Sequence, residues 1–378
     1  MKSLKIAQNK INVTRPYLPD KKIFDKLTNE IWDNSWLTND GPLLKRFNVN
    51  LKKYLGCNNL ELFVNGHSAL DIAIRASGIT GEVITTPFSF ASTTHAITMN
   101  DAKPIFCDID PKDYTIDPKK IESLITDETQ AIIPVHVYGY PCNVKEIEKI
   151  AKKNNLIVIY DSAHAFGVRY RGKSLANYGD VSMISFHATK LFHSIEGGAL
   201  LFQDEKLGNK LRAYRNFGIS SEIDVDYVGG NSKMNEFQAA MGLINLEHID
   251  NLINERKTIT EKYRQRLSKI EGISFHVPEN NPNIEYNYSY MPIVVDNEKY
   301  GLSRDELYEK LKKYNIFTRR YFYPLISNYS CYSNIDKMDL PVSTMISNSI
   351  MCLPIYNGLT HEEVDYICDA IEIIGEHN

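Results

Sequence analysis

Two short apolar runs constrain the fold more than any other feature of the sequence. Residues 156–160 (LIVIY) and 181–186 (VSMISF) are continuous and rich in large or β-branched side chains. Such runs are typical of strands buried on both faces of a parallel sheet. Strand-like runs also alternate with helix-like segments along most of the chain, which predicts βαβ units. We therefore expect an α/β fold with a mainly parallel central sheet.

Polar residues stand where these two runs end. Asp161 directly follows the first run, and the second run, which contains Ser185, leads into a loop with Lys190. In open α/β sheets, ligands bind beyond the carboxyl ends of the strands. Pyridoxal phosphate requires a lysine for its Schiff base and an acid for its pyridinium nitrogen. Taken singly, the lysine could be a solvated surface residue and the aspartate a helix cap, but together they favour a cofactor site with Lys190 and Asp161 as its catalytic residues.

Two further features suit the same cofactor. Gly66, His67 and Ser68 lie between a predicted strand and a helix predicted over 69–77, and the start of a helix attracts phosphate through its backbone N–H groups and its dipole. A helix capped by serine would give the same pattern without a ligand. Phe90 follows the strand predicted over 82–86 and could stack on a pyridine ring, although core packing would also explain it.

Composition narrows the class of protein. The length of 378 residues suggests two domains, and the net charge of −4 gives no indication of a nucleic acid or an anionic membrane as partner. We expect no membrane span, because no apolar run is long enough. The six cysteines are scattered without a CxxC pair, which argues against a metal site and against disulfides and favours a cytoplasmic location.

The domain boundary is predicted near a long helix. Residues 236–267 are apolar at helical spacing at first and read as a hinge helix, followed by strands predicted over 273–277, 288–295 and 316–323. We therefore divide the chain into a large cofactor-binding domain, residues 1–250 with the N-terminal segment, and a smaller α+β domain, residues 251–378.

Six motifs, in this order, resemble the DegT/DnrJ/EryC1/StrS group of sugar-nucleotide aminotransferases over nearly the whole chain. They read EVITTPFSFAST, PVHVYG, YDSAHAFG, SFHATKLFHSIEGGAL, GGNSKMNEFQAAMG and LPIY. The resemblance implies the type I aminotransferase fold, with a large domain and a smaller C-terminal α+β domain. It also implies pyridoxal 5'-phosphate as cofactor and a homodimer with shared active sites.

The resemblance also assigns roles to individual residues. It implies that Lys190 forms the Schiff base and that Asp161 contacts the pyridinium. His164 would lie by the phenolic oxygen, and Phe90 would stack on the ring. The phosphate would be held by Gly66, His67, Ser68 and Ser185, with Asn231 reaching the phosphate of the neighbouring subunit. There are two departures from the family pattern. His67 stands where many members have Thr or Ser, and His193-Ser194-Ile195 replaces the more usual residues before Glu-Gly-Gly.

The implied reaction has two half-reactions, with L-glutamate as the amino donor and a nucleotide-linked keto sugar as the acceptor. The strings NGHSALDIAI, FHATKLFH and TRRYFYPL resemble the subgroup that makes dTDP-4-amino-4,6-dideoxyglucose for a surface polysaccharide such as O-antigen. Arg319 and Tyr321 are candidates for sugar contacts, with a surface arginine and a packed tyrosine as the ordinary alternatives. A C-3 aminotransferase, one that uses a UDP- or GDP-linked sugar, and a non-catalytic binding or regulatory protein stay open. The intact lysine, acid and phosphate loop argue against the last.

Overall fold

The computed structural model describes residues 4–275, 281–336 and 338–376. Its helices are α1 (Lys21–Asn34), α2 (Pro42–Leu55), α3 (Gly66–Ala76), α4 (Ala91–Thr98), α5 (Pro118–Ile121), α6 (Val144–Asn154), α7 (Glu205–Arg215), α8 (Glu236–Leu267), α9 (Asn297–Tyr300), α10 (Arg304–Lys312), α11 (Pro341–Ser349) and α12 (His361–Glu376). Among these described helices, none is both long and apolar enough to cross a membrane.

The strands form one large sheet and three small ones. They are β1 (Ile11–Asn12), β2 (Leu60–Phe63), β3 (Glu82–Thr85), β4 (Lys103–Phe106), β5 (Thr129–Ile133), β6 (Ile157–Asp161), β7 (Arg169–Tyr170), β8 (Lys173–Ser174), β9 (Val181–Ser185), β10 (Gly198–Phe202), β11 (Ile273–Phe275), β12 (Ile284–Glu285), β13 (Met291–Val295), β14 (Ile316–Phe317) and β15 (Ile350–Leu353). The seven-stranded sheet has the order β2-β10-β9-β6-β5-β3-β4. Its neighbours are parallel except β10, which runs antiparallel to both β2 and β9. The predicted α/β fold with a mainly parallel sheet is confirmed.

The two apolar runs become the central strands β6 and β9. Every residue of β9 is buried, and in β6 only the first residue is partly exposed. The two strands are parallel neighbours, with Asp161 opposite Met183. Apolar clusters lie on both faces of the sheet, so the side chains of these strands are part of the core. Because the two strands are parallel, their carboxyl ends lie at the same edge of the sheet.

Helix α8 belongs to two apolar cores. Its first half packs through residues such as Ala239 and Leu243 against the helices α1 and α2. Its second half contributes Ile259, Tyr263 and Leu267 to a core formed with β13, β15, α10 and α12. A capping box between Asn235 and Gln238 fixes where the helix begins. The contacts of α8 change from the first core to the second between residues 252 and 259.

The N-terminal segment pairs with the second core. We grouped this segment with residues 1–250, but β1 pairs in parallel with β14 and Ile11 is buried in the second core. The division of the chain near residue 250 is a proposal, and any such division would place residues 4–12 with the C-terminal part.

The expected strand over 316–323 is wrong beyond Phe317. The chain leaves β14, makes one isolated bridge between Arg319 and Cys352, and then turns, with the Tyr323 N–H donating to the Arg320 carbonyl at 2.8 Å. Tyr321 and Phe322 pack in a cluster with residues such as Phe88, next to the large sheet, rather than continue a strand, and Tyr323 is exposed. Of the strand expected over 273–277, residues 273–275 form β11 and residues 276–277 lie outside the described part.

A buried carboxylate fastens α11 to the large sheet. Asp108 follows β4 and accepts hydrogen bonds from the Ser343 backbone N–H at 2.7 Å and the Val342 N–H at 3.1 Å, both in the first turn of α11. It also accepts a hydrogen bond from the Ser343 hydroxyl at 2.6 Å and forms an ion pair with Lys120 at 2.9 Å. Burial favours the neutral acid, but these bonds outweigh it and lower the pKa of Asp108.

Candidate active site

Asp161 ends β6 as a buried, hydrogen-bonded carboxylate. One oxygen accepts the Thr93 hydroxyl at 2.7 Å and the other accepts the Ala163 N–H at 3.0 Å. Burial raises the pKa of the carboxyl, while Thr93, Ala163 and the positive charge of Lys190 partly offset this. Asp161 is therefore a buried acid that a cationic partner would stabilise in its ionised form.

Lys190 lies in the loop between β9 and β10. Its backbone N–H donates to the His187 carbonyl at 2.9 Å, which forms a tight turn, and its Nζ donates to the Tyr290 hydroxyl at 3.3 Å. Burial lowers the pKa of the amine, and Asp161 and Tyr321 partly offset the effect. A lowered pKa increases the fraction of neutral amine, which is the nucleophilic form. The structure thus brings the two predicted catalytic residues together at one edge of the sheet.

The start of α3 approaches the neighbouring strands β9 and β10 closely at two glycines. A Cβ on Gly66 would lie 3.0 Å from the Ser185 Cβ, and one on Gly198 would lie 2.7 Å from the backbone of Asn65 and Gly66. The N-terminal turn of α3, whose N–H groups have no partner one turn earlier in the helix, therefore stands directly over the end of β9. The arrangement suits an anion held between Ser185 and the helix start.

Side chains around this turn tie it to α4. The Asn65 side chain accepts the Ser68 N–H at 2.8 Å and caps the helix. The Nδ1 atom of His67 bonds the Ser92 hydroxyl at 2.9 Å, so Nε2 is the ring nitrogen that remains for a ligand. Helix α4 also supplies Thr93 to Asp161. The first turn of α4 thus connects the predicted phosphate end and the predicted pyridinium end of the site.

His164 is buried with one ring nitrogen already engaged. Its Nδ1 accepts the Tyr138 N–H at 3.0 Å, and Tyr138 reaches this position through a left-handed backbone with φ of 56°. Burial, with the charge of Lys190, lowers the pKa of His164 well below its ordinary value. The ring is therefore neutral at physiological pH. Because Nδ1 accepts, Nε2 carries the hydrogen and can donate to an oxygen.

Phe90 lies at the start of α4 with its ring exposed. It is the residue just before the first turn of α4 and is 61 % exposed, and its carbonyl accepts the Thr93 N–H at 3.2 Å. The ordinary alternative of core packing does not hold for this residue. An exposed ring at this point can stack on a planar ligand.

The other three predicted residues come from segments outside the large sheet. Asn231 is exposed in the segment before α8, where the neighbouring Ser232 carbonyl accepts the Val64 N–H at 2.8 Å. Arg319 is exposed. It lies near enough to Tyr321 for its positive charge to act to lower the pKa of that phenol. Tyr321 is half-buried, and its ring lies 6.0 Å from that of Tyr290.

Three residues of the site carry no role in the sequence analysis. Thr93 closes the motif EVITTPFSFAST, and its spacing from Phe90 is the signal that could have found it. Tyr138 lies inside PVHVYG, but its backbone contact with His164 leaves no sign in the sequence. Tyr290 is distant in the chain from Lys190, so only the fold places its hydroxyl there.

The fold and this sheet edge are those of the type I class of pyridoxal-phosphate-dependent transferases. Within that class, the chain belongs to the DegT/DnrJ/EryC1/StrS aminotransferase family, whose profile matches residues 20–372. It is 44% identical over 365 residues to a dTDP-4-amino-4,6-dideoxy-D-glucose transaminase of Shigella dysenteriae, covering 96% of this chain and 99% of that one. An Escherichia coli protein of the same name is 43% identical over 360 residues, 94% of this chain and 96% of its own.

A solved structure agrees with the same class. The structure described as DesI in the presence of its TDP-sugar product superposes with a TM-score of 0.94 at 29% identity, covering 98% of this chain and 94% of that one. The expected family, fold and enzyme class are confirmed.

The side chains present fit pyridoxal phosphate. The pKa of the buried Asp161 is raised, as expected for an acid that lacks a full positive partner, and a pyridinium nitrogen is such a partner. The space between the start of α3 and Ser185, which we call the phosphate cradle, has the backbone N–H donors and the hydroxyl that a phosphate needs. Lys190 would form the covalent bond, and His164 Nε2 would donate to the phenolic oxygen.

Proposed function

We propose that this enzyme transfers the amino group of L-glutamate to C-4 of dTDP-4-keto-6-deoxyglucose and so makes dTDP-4-amino-4,6-dideoxyglucose. The observation that carries the proposal is that Asp161 and the Lys190 amine lie close enough at one sheet edge for each charge to stabilise the other. It occurs in a chain whose relatives at 44% and 43% identity bear that transaminase name. We further propose a cytoplasmic role in making a surface polysaccharide such as O-antigen.

Bound pyridoxal phosphate supplies an electron sink that stabilises negative charge on the carbon next to the transferred nitrogen. The residues of the chain supply the rest. Asp161 keeps its negative charge against the ring nitrogen, and Thr93 and Ala163 fix the direction of its two oxygens. Lys190, as a neutral amine, takes a proton from one carbon and returns it to another, a role that its lowered pKa suits.

We assign the sugar-nucleotide side of the site to Arg319 and Tyr321. Tyr321 lines a small cavity with Thr189, Ser289 and Tyr290, next to the loop of Lys190. Arg319 is exposed beside it and suits the negative charge of a diphosphate. This assignment makes the turn after β14 part of the substrate site.

The deciding test is a spectrum of the two half-reactions. L-Glutamate should bleach the absorbance band of the lysine-bound cofactor, and dTDP-4-keto-6-deoxyglucose should restore it. Product NMR then identifies the aminated carbon. UDP- and GDP-linked keto sugars are the matched alternatives, and restoration by one of them but not by the dTDP sugar would contradict the proposed substrate. If no band forms with pyridoxal phosphate, the assignment of Lys190 and Asp161 fails.

We also propose a homodimer in which Asn231 acts on the site of the partner subunit. Apolar side chains are exposed in the segment just before Asn231, with Ile223 at 96 % and Val228 at 87 %. A run of exposed apolar residues favours a protein interface. A second copy is the occupant that would bring Asn231 to a phosphate cradle.

A mixed-dimer experiment tests this arrangement. The Lys190→Ala homodimer and the Asn231→Ala homodimer are each expected to have little or no activity. If Asn231 acts across the interface, a mixture refolded together contains dimers with one fully native site, so activity reappears. If Asn231 serves its own chain, every site in the mixture carries a defect and activity stays no higher than that of the two homodimers.

A further inference from the structure

Tyr290 is the aromatic residue in closest described contact with the Lys190 amine. Its hydroxyl accepts a hydrogen bond from Nζ at 3.3 Å, and its ring centroid lies 5.9 Å from the same atom. The ring also lies 4.6 Å from that of His164. Tyr290 therefore touches both the amine that does the chemistry and the histidine that faces the cofactor.

The backbone around Tyr290 is fixed from several sides. The Asn287 side chain donates to the carbonyls of His164 and Phe166, both at 2.8 Å. The Ser289 carbonyl accepts from Arg256 of α8 at 3.2 Å. These bonds hold the residues just before β13 in an irregular conformation, although a strand was expected from residue 288. The hydroxyl of Tyr290 is thus aimed by bonds to both α8 and the His164 loop.

We propose that Tyr290 is a positioning residue for Lys190: its hydroxyl holds the amine whenever the amine is not bonded to the cofactor. The proposal rests on the proposed function, in which Lys190 is released by the amino donor and must return. A free lysine has a flexible four-carbon stem. A hydrogen bond at a fixed place limits that freedom and keeps Nζ close to the carbons between which it carries the proton.

The charges around Nζ decide how this bond affects the amine. Burial disfavours the ammonium, while Asp161 and the phenol of Tyr321 favour it. His164 is neutral because its pKa lies well below the ordinary value. Burial raises the pKa of Tyr290 itself, so its hydroxyl stays protonated and its oxygen can accept. The hydroxyl and the ring face therefore both favour the ammonium, and removing the hydroxyl should lower the pKa of Lys190.

The experiment measures that pKa without turnover. Cofactor-free protein is mixed with pyridoxal phosphate over a range of pH, and the rate at which the absorbance band of the lysine-bound cofactor appears is recorded. The midpoint of the rate against pH reports the free amine. For Tyr290→Phe, which keeps the ring, we expect the midpoint about half to one pH unit lower than in the parent protein, from the usual worth of one hydrogen bond.

Tyr288→Phe is the matched control. Tyr288 is two residues away and half-buried, and its described ring contact is with Tyr286. Its midpoint should equal that of the parent. Equal midpoints for Tyr290→Phe and Tyr288→Phe would overturn the inference. If Tyr290→Phe does not fold, Tyr290→Met, which removes hydroxyl and ring together, should shift the midpoint at least as far, and no shift there would also overturn it.

The same data separate this inference from the proposed function. A parent protein that forms no band with pyridoxal phosphate contradicts the function. A parent that forms the band, with Tyr290 variants that share its midpoint, contradicts only the role of Tyr290.

Discussion

The two sides of the active site are built in different ways. On one side, Asp161 and Ser185 are the last residues of two buried parallel strands, and their positions follow from strand register. On the other side, Tyr290 and the proposed substrate residues Arg319 and Tyr321 come from irregular segments next to β13 and β14. There, side-chain bonds such as that from Arg256 to the Ser289 carbonyl set the geometry.

This difference indicates a division of labour. A sheet edge fixes positions through many backbone bonds, which suits a cofactor that is the same in every turnover. Segments outside regular structure can change in sequence without disturbing the sheet, which suits the recognition of one sugar nucleotide among many. Substitutions on the two sides should therefore affect different quantities.

The largest effect is expected for Lys190→Ala on the sheet side. Turnover should fall by about 1000-fold or more, because the nucleophile and the proton carrier are lost together. Pyridoxamine phosphate should still bind, since the contacts of Asp161 and the phosphate cradle remain. Rate assays with isothermal titration of pyridoxamine phosphate check both parts. Substantial activity in this variant would remove Lys190 from its role.

Asp161→Asn should weaken cofactor binding by about 10- to 100-fold, the worth of one hydrogen bond to a charged group. The bond from Thr93 can persist, but the negative charge opposite the ring nitrogen is gone. Asp204→Asn is the control, because Asp204 caps α7 at the surface and its loss removes the same charge elsewhere. Equal affinity in both variants would mean that Asp161 does not contact the cofactor.

On the irregular side, Arg319→Ala should raise the KM for the sugar nucleotide by about tenfold. Cofactor affinity and the rate of the half-reaction with glutamate should not change, in contrast to the effect expected for Asp161→Asn. Lys313→Ala removes an exposed positive charge at the end of α10 and should leave KM unchanged. A change in cofactor affinity for Arg319→Ala would erase the distinction between the sides.

The smallest effect on activity is expected for Asp108→Asn, which tests how much the bonds between Asp108 and α11 contribute to stability. At pH 7 the free energy of unfolding should fall by about 1–3 kcal/mol. Because the folded-state pKa of Asp108 is lowered, its contribution is present above the unfolded pKa of about 3.9 and is lost as pH falls through the folded pKa. Denaturant unfolding of both proteins from pH 7 down to pH 3 should therefore show the difference shrinking, and a constant difference would contradict this account.

The sequence could predict the sheet side well because its signals are local. Asp161 and Lys190 each follow a buried run within a few residues, and a parallel sheet brings such ends together whatever the rest of the chain does. It could not predict Tyr290 or Tyr138, because each acts through a contact with a residue far away in the chain. The strand expected over 316–323 failed for the same reason: Tyr321 and Phe322 pack with residues such as Phe88 that are far away in the chain, and this packing overrides local strand preference.

Helix α8 has a mechanical consequence. Its 32 residues span about 48 Å, and Arg256, which holds the Ser289 carbonyl, stands about two-thirds of the way along. A rigid rod that tilts about such an anchor moves its ends by ångströms and the anchored point hardly at all. Because Arg256 holds the segment that presents Tyr290 to the Lys190 amine, we expect a tilt of the helix about this point to displace that segment least.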